Sequence, residues 1–259
     1  MEKKHLLCYL SLMAALVAGC KKTDNAPAQI ENKTAVQARV CVDKPMIKGN
    51  VTTEGVVVKA SRWPNKKVIT VKFLNGSTFL RSKVKTYAKV WENYASIKFN
   101  FVADNQPANL KVSFSNDQQS WSYIGTDALT AAPGNDESIH FGWFDDTTDD
   151  SEFSRTVTHE FGHAIGLAHE QSSPAANILW NKPVVYAYYA QFGWSKSDVD
   201  YNVFYKYSSQ VTQYSKYDPA SIMQYPIDKG FTTNGFSVGW NTVLSATDKS
   251  FIATIYPKI

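Results

Sequence analysis

At 259 residues, 44% of them hydrophobic and 14% aromatic, the chain has material for one or two domains with a real core. Its net charge of +4 is small and is not gathered into long basic runs, which argues against nucleic acid as a partner.

Lys3 and Lys4 precede an apolar run, Leu6 to Val17, of signal-peptide rather than membrane-spanning length, so residues 1–19 read as a signal peptide. The run closes on Val17-Ala18-Gly19-Cys20, which resembles a bacterial lipoprotein box. Lipidation of Cys20 is therefore expected, with membrane contact only through that anchor. Residues 20–52 are polar and aperiodic and read as a propeptide or spacer ahead of a folded domain over 53–259. Of the three cysteines, Cys8 falls in the signal and Cys20 in the box, so only Cys41 remains. With no cysteine from Val42 to Ile259, an internal disulfide in the folded region is excluded.

Val68 to Phe73 alternates like a strand and runs into an Asn75-Gly76 turn. Phe79 to Ala95 carries Leu80, Val84, Tyr87, Ala88, Trp91 and Tyr94 at helical spacing, predicting an amphipathic helix. Ile97–Val102, Leu110–Phe114, Trp121–Gly125 and Ile139–Trp143 read as further strands, about five in all. His140, on the last of these, is taken as a packed or surface residue. Charge is uneven along this stretch: Arg62 to Lys98 is basic and Asp104 to Glu160 acidic, with Asp145, Asp146, Asp149, Asp150 and Glu152 close together. The cluster reads as a solvated loop favouring the positive end of the next helix. A Ca2+ site there is the weaker alternative, since oxygen ligands are dense but EF-hand spacing is missing. A helix is expected from near Ser151. Beyond His169, scattered prolines and many tyrosines predict irregular backbone, until a last helix over Ala246–Ile255 capped by Thr247 or Ser245.

Three of the five histidines lie in His159-Glu160-Phe161-Gly162-His163-Ala164-Ile165-Gly166-Leu167-Ala168-His169-Glu170. Residues four apart share a helix face, so His159 and His163 can aim imidazoles at one ion. Gly166 can adopt the left-handed backbone that stops a helix, letting His169 return as a third nitrogen ligand. Three histidines and one open position describe a catalytic Zn2+ site, because a structural site closes all four. Glu160 follows the first ligand, close enough to hold the reacting water.

The full HExxHxxGxxH pattern resembles that of the metzincin metallopeptidases. Glu170 after the third histidine, and Ser221-Ile222-Met223-Gln224-Tyr225 further on, are similar to the zinc motif and Met-turn of the astacin family, and most to its bacterial members. Trp121-Ser122-Tyr123-Ile124-Gly125 resembles the edge strand that pairs with extended substrate in that family. The likeness spans roughly Arg62 to Ile259. It implies an α+β, two-lobed zinc peptidase: a mostly parallel five-stranded sheet with two long helices above the cleft, and an irregular lower lobe with a C-terminal helix.

The resemblance also implies roles. Glu160 is the general base, and Met223 is an apolar floor beneath the metal. Tyr225 is an oxyanion stabiliser and an occasional extra ligand, and Glu170 is a structural residue that meets the mature N-terminus. Peptides or proteins would be the substrates. Metzincin precursors are silenced by a cysteine on the metal, as in matrixins, or by an aspartate, as is usual in astacins, and Val40-Cys41-Val42-Asp43 offers both, with Cys41 the softer donor. Animal astacins carry disulfides absent here, and Ser120 stands where they place a cysteine. Two rival readings are a zinc-binding pseudoenzyme and an aromatic-rich surface-binding lipoprotein; the retained Glu160 argues against the first. The sequence sets no oligomeric state.

Overall fold

The computed structural model describes residues 40–41, 57–209 and 212–258. The chain divides into units Met1–Val36 and Gln37–Ile259, and all the described residues belong to the second. The expected signal peptide, Cys20 and most of the 20–52 spacer lie outside the described residues.

The elements run β1 (Val40–Cys41), β2 (Val57–Val58), β3 (Val68–Phe73), α1 (Thr78–Ala88), β4 (Lys98–Phe101), β5 (Leu110–Phe114), β6 (Gln119–Ser122), α2 (Ala128–Ala131), β7 (Ile139–Phe141), α3 (Asp150–Ala164), α4 (Lys182–Ala190), α5 (Lys196–Val199), β8 (Thr212–Gln213) and α6 (Ala246–Ile255). Among the described residues, six strands form one sheet in the order β1-β6-β7-β5-β3-β4, and β2 pairs antiparallel with β8. β7, β5, β3 and β4 are mutually parallel, while β6 runs antiparallel to β7. The five expected strands are therefore present, joined by a sixth: Val40–Cys41 adds in parallel to β6.

One sheet face carries Ile69, Val71, Phe73, Leu110, Val112, Ile139 and Phe141, all buried, and packs beneath α1 and α3. Phe99 meets Phe161 of α3 edge-on at 5.0 Å between ring centroids. The opposite face is polar yet largely buried. Lys72 donates to Asn135 Oδ1 at 2.7 Å, and Lys111 donates to the Ala132 carbonyl. Burial, and then the neighbouring Lys72, lower the Lys111 pKa. His140 is packed: its Nδ1 lies 2.9 Å from Glu137 Oε2, its Nε2 3.1 Å from Asp117 Oδ2, and its ring stacks on Trp121 at 5.5 Å.

α1 starts at Ser77, whose hydroxyl accepts from Leu80 N–H, and ends seven residues before the expected Ala95. The chain tightens there into a 3-10 helix, Lys89–Asn93. Trp91 in that turn donates Nε1–H to Thr158 O at 2.9 Å, tying it to α3. The lower lobe is less irregular than expected. It holds α4, α5 and a π-helical turn, Asp200–Phe204, around a small core of Val185, Tyr189, Val199 and Val203. Val, Tyr and Ala fill α4, and the β-branched and aromatic residues among them are weak helix formers, so tertiary packing sets this helix rather than propensity. Among the described residues, no helix is long and apolar enough to cross a membrane.

Candidate active site

α3 carries His159 and His163, two of the three expected ligands, and ends sharply. Gly166 has φ +102°, Gly166 N–H donates to His163 O, and Leu167 N–H donates to Gly162 O. This paired closure is the Schellman stop, and it turns the chain so that His169 comes back beneath the helix. Two more carbonyls at this end are met from afar. Trp63 Nε1–H donates to Ala164 O at 2.8 Å, and the Tyr256 hydroxyl donates to Ile165 O at 2.7 Å.

The Nε2 atoms of His159, His163 and His169 form a triangle with edges of 3.1, 3.2 and 3.2 Å, and all three rings are buried. His159 donates Nδ1–H to Ile222 O and His163 donates Nδ1–H to Leu167 O, each at 2.8 Å. Those bonds fix two of the tautomers and turn the Nε2 lone pairs of His159 and His163 toward one point. Three imidazole nitrogens so close call for a cation. Zinc–nitrogen bonds of 2.0–2.1 Å at tetrahedral angles demand nitrogen spacings of about 3.3 Å, so the donor set fits Zn2+. Burial, and then the neighbouring His163 and His169, hold His159 well below the usual imidazole range. Among the described residues, this is the one His/Cys/Asp/Glu cluster suited to a metal.

The calcium alternative is not supported, because the acids of 145–152 turn to separate partners. Asp145 accepts from Thr147 and Thr148, Asp146 from Ser77 and Trp143 Nε1–H reaches Glu152, while Lys83 pairs with Asp150.

Glu160 is fully buried on α3. Met223 is buried against Gly162, where an added Cβ would fall 2.4 Å from its sulfur; only glycine in the helix lets the methionine this close. The Tyr225 ring lies 4.1 Å from that of His169 and 6.2 Å from that of His159. The two segments are laced together by Glu170 N–H donating to Met223 O at 2.9 Å. Glu170 Oε1 accepts from Asp218 N–H, and burial pushes its carboxyl pKa up to about 8.

Of the expected edge segment, Trp121 and Ser122 lie in β6, whereas Tyr123 and Ile124 follow it and Gly125 opens a 3-10 turn. The strand ends early because Gly125 takes φ +53° against Ser61, whose carbonyl oxygen would sit 1.8 Å from an added Cβ. The outer side of β6 pairs with β1, with Cys41 opposite Ser120. Ser120 itself is buried and accepts from Gly142 N–H.

Several contributors carry no local sequence signal. Asp248 accepts from Ser221 Oγ at 2.6 Å and Ile222 N–H at 2.8 Å while closing a capping box with Ser245. It thus anchors the Met-turn to α6. The capping box can be read from Ser245 and Asp248, but the second duty cannot. Gln171 and Gln224 hold the peptide of Tyr225.

Residues 56–257 match the family model for the astacin peptidases. Protein SpAN of Strongylocentrotus purpuratus is 25% identical over 225 residues, covering 80% of this chain and 33% of that protein. Blastula protease 10 of Paracentrotus lividus is 28% identical over 205 residues, covering 77% and 30%. The chain thus spans about a third of the length of these curated relatives. A structure of myroilysin shares 56% identity at TM-score 0.77, covering 79% of this chain and all of that one. A hatching enzyme zinc-protease of Oryzias latipes, at 16% identity and TM-score 0.52 over 79% of this chain and 98% of its own, bears on the fold alone. With a family model covering 202 of 259 residues, the chain belongs to the astacin family.

Proposed function

We propose that the chain is a zinc-dependent endopeptidase acting on peptides or proteins, made as a latent, exported precursor. The observation that carries this is the triangle of Nε2 atoms on His159, His163 and His169, with Glu160 buried next to the first. Zinc held there supplies Lewis acidity, polarising the scissile carbonyl and bringing the pKa of a water to about 7. Glu160 takes a proton from the attacking water as general base and returns it to the leaving amine. The Tyr225 phenol donates a hydrogen bond to the developing oxyanion. Main-chain groups of β6 hold the substrate as an added strand, which limits the reaction to extended peptide.

The test uses unfolded casein as substrate. Once its propeptide has been removed, the purified, zinc-loaded enzyme should cleave it and a chelator should stop cleavage. Glu160→Ala should keep its zinc yet lose about 10²–10⁴-fold in rate. Wild-type rates in that variant would overturn the assignment of the base.

Latency rests on Cys41. Its thiolate, a soft donor, would take the open position on the metal. The pairing of Val40–Cys41 along β6 supports this reading, because it occupies the same strand edge that substrate needs. Glu170 is the structural residue that receives the new N-terminus after maturation. Residues 1–19 direct export, and lipidation at Cys20 tethers the precursor at the outer membrane or cell surface until propeptide removal frees the enzyme. The precursor should then partition into detergent, and Cys20→Ser should return it to the aqueous phase; no change on substitution would sink the anchor.

A further inference from the structure

Tyr225 is gripped through its backbone by two buried glutamines. Its N–H donates to Gln171 Oε1 at 3.1 Å, and its carbonyl accepts from Gln224 Nε2 at 2.8 Å. Gln171 is 1% exposed and Gln224 4%. Gln171 follows the third histidine by two residues, and Gln224 sits between Met223 and Tyr225. The two segments already meet through Glu170 N–H and Met223 O. The glutamines extend that link by one residue and lock the next peptide in both directions.

The other half of each amide tells more. Gln171 Nε2 and Gln224 Oε1 are buried with no hydrogen-bond partner among the described residues. A half-satisfied amide in the interior is worse for stability than an apolar side chain of the same size. Methionine or leucine would remove that cost but would leave the Tyr225 N–H or carbonyl without its glutamine partner. The satisfied half of each amide thus acts on the Tyr225 backbone and on nothing else in the site.

Resting on the reading of Tyr225 given above, we infer that Gln171 and Gln224 are positioning residues that fix the Tyr225 backbone, so that its hydroxyl approaches and leaves the metal by side-chain rotation alone. A pinned Cα leaves the phenol two torsions and returns it to one place at each turnover. Loosening the peptide spreads the hydroxyl over positions from which it serves the transition state poorly. Both amides are buried away from any surface that substrate could reach, so binding should be spared.

The test is a double-mutant cycle. Gln171→Met and Gln224→Met should each lower kcat about tenfold with KM little changed, since displacements on the order of 1 Å cost 10- to 100-fold. In a Tyr225→Phe background the same changes should cost less than about twofold, because the hydroxyl they position is gone. In the metal-free chain, Gln171→Met should speed amide hydrogen exchange at residue 225. If Gln171→Met fails to fold, Gln171→Asn, which keeps the amide but shortens its reach, takes its place. Equal losses in both backgrounds, unaltered kcat in the single variants, or unaltered exchange would each overturn the clamp. A Tyr225→Phe enzyme as fast as wild type overturns the reading of Tyr225 and the clamp with it. A slow Tyr225→Phe enzyme with fast glutamine variants overturns the clamp alone.

Discussion

Tyr256→Phe removes one oxygen atom from a buried position and nothing else. The Tyr256 side chain, 1% exposed, keeps its ring in the core that joins α6 to the sheet and α3. Its hydroxyl donates to Ile165 O at 2.7 Å, at the end of the helix that carries His159 and His163, and accepts from Trp63 N–H at the longer distance of 3.3 Å. The variant leaves a buried carbonyl and a weakly held N–H without this partner. An abandoned buried acceptor costs about 1–3 kcal/mol, and the long second bond adds little, so a loss of about 2 kcal/mol is expected. For a domain of this size that lowers Tm by about 4–8 °C. The m-value in urea should not change, because the native surface is the same. Ile165 precedes the glycine turn that carries the chain to His169, so the variant should also surrender zinc to a chelator faster than wild type. Thermal melts of the metal-free chain and chelator-driven zinc release check both parts. A Tm within about 1 °C of wild type would refute the claim that this hydroxyl holds the helix end.

Cys41→Ser should make the precursor active and self-cleaving before processing, seen as casein cleavage and a shortened band on a gel. A silent Cys41→Ser precursor would hand the latch to Asp43, which lies outside the described residues, or to steric cover of β6 alone. Glu170 predicts a pH dependence. Burial raises its folded carboxyl to about 8 from an ordinary 4.5, so folding favours the protonated form. That stability is fully present below about pH 4.5 and is lost as pH rises through about 8, with a ceiling of about 5 kcal/mol. Glu170→Gln keeps the acceptor for Asp218 N–H and should flatten the fall of Tm over that window. Asp248, raised in the same direction by its own burial, leaves a remaining slope at the acid end. A Tm profile of Glu170→Gln parallel to wild type across pH 5–8 or so would remove Glu170 as its source.

The candidate metal ligands are legible in the sequence because their geometry is local. Four-residue spacing on one helix and a glycine that must turn left need no knowledge of the rest of the chain. α3 begins at Asp150, one residue from the expected Ser151. β3, β5 and α6 have the expected bounds for the same reason: alternation and a capping serine are written within each segment. The expected edge strand runs three residues too far. Its sequence is extended in character through Ile124, and what ends it is the carbonyl of Ser61, more than sixty residues earlier. α4 is hidden from the sequence because its residues include poor helix formers that gain their helix only by burying Val185 and Tyr189 against α5.

Several supports of the site share one property: each joins segments far apart in sequence. Tyr256 reaches Ile165 across 91 residues, Trp63 reaches Ala164 across 101, and Gln171 reaches Tyr225 across 54. A hydrogen bond of that span has no period and no flanking signal, so pattern reading cannot register it. The division is physical as well as informational. Ligands must sit at fixed offsets because one rigid helix has to aim two of them, whereas a support needs only a donor at the right point in space, from any part of the chain. Asp248 marks the boundary between the two. Its role as the third residue of the α6 capping box is visible in Ser245-Ala246-Thr247-Asp248, and its two bonds to Ser221 and Ile222 are not. Since the same carboxylate serves both, fraying of α6 should also loosen the Met-turn, which ties the C-terminal helix to the candidate site although it contributes no expected ligand.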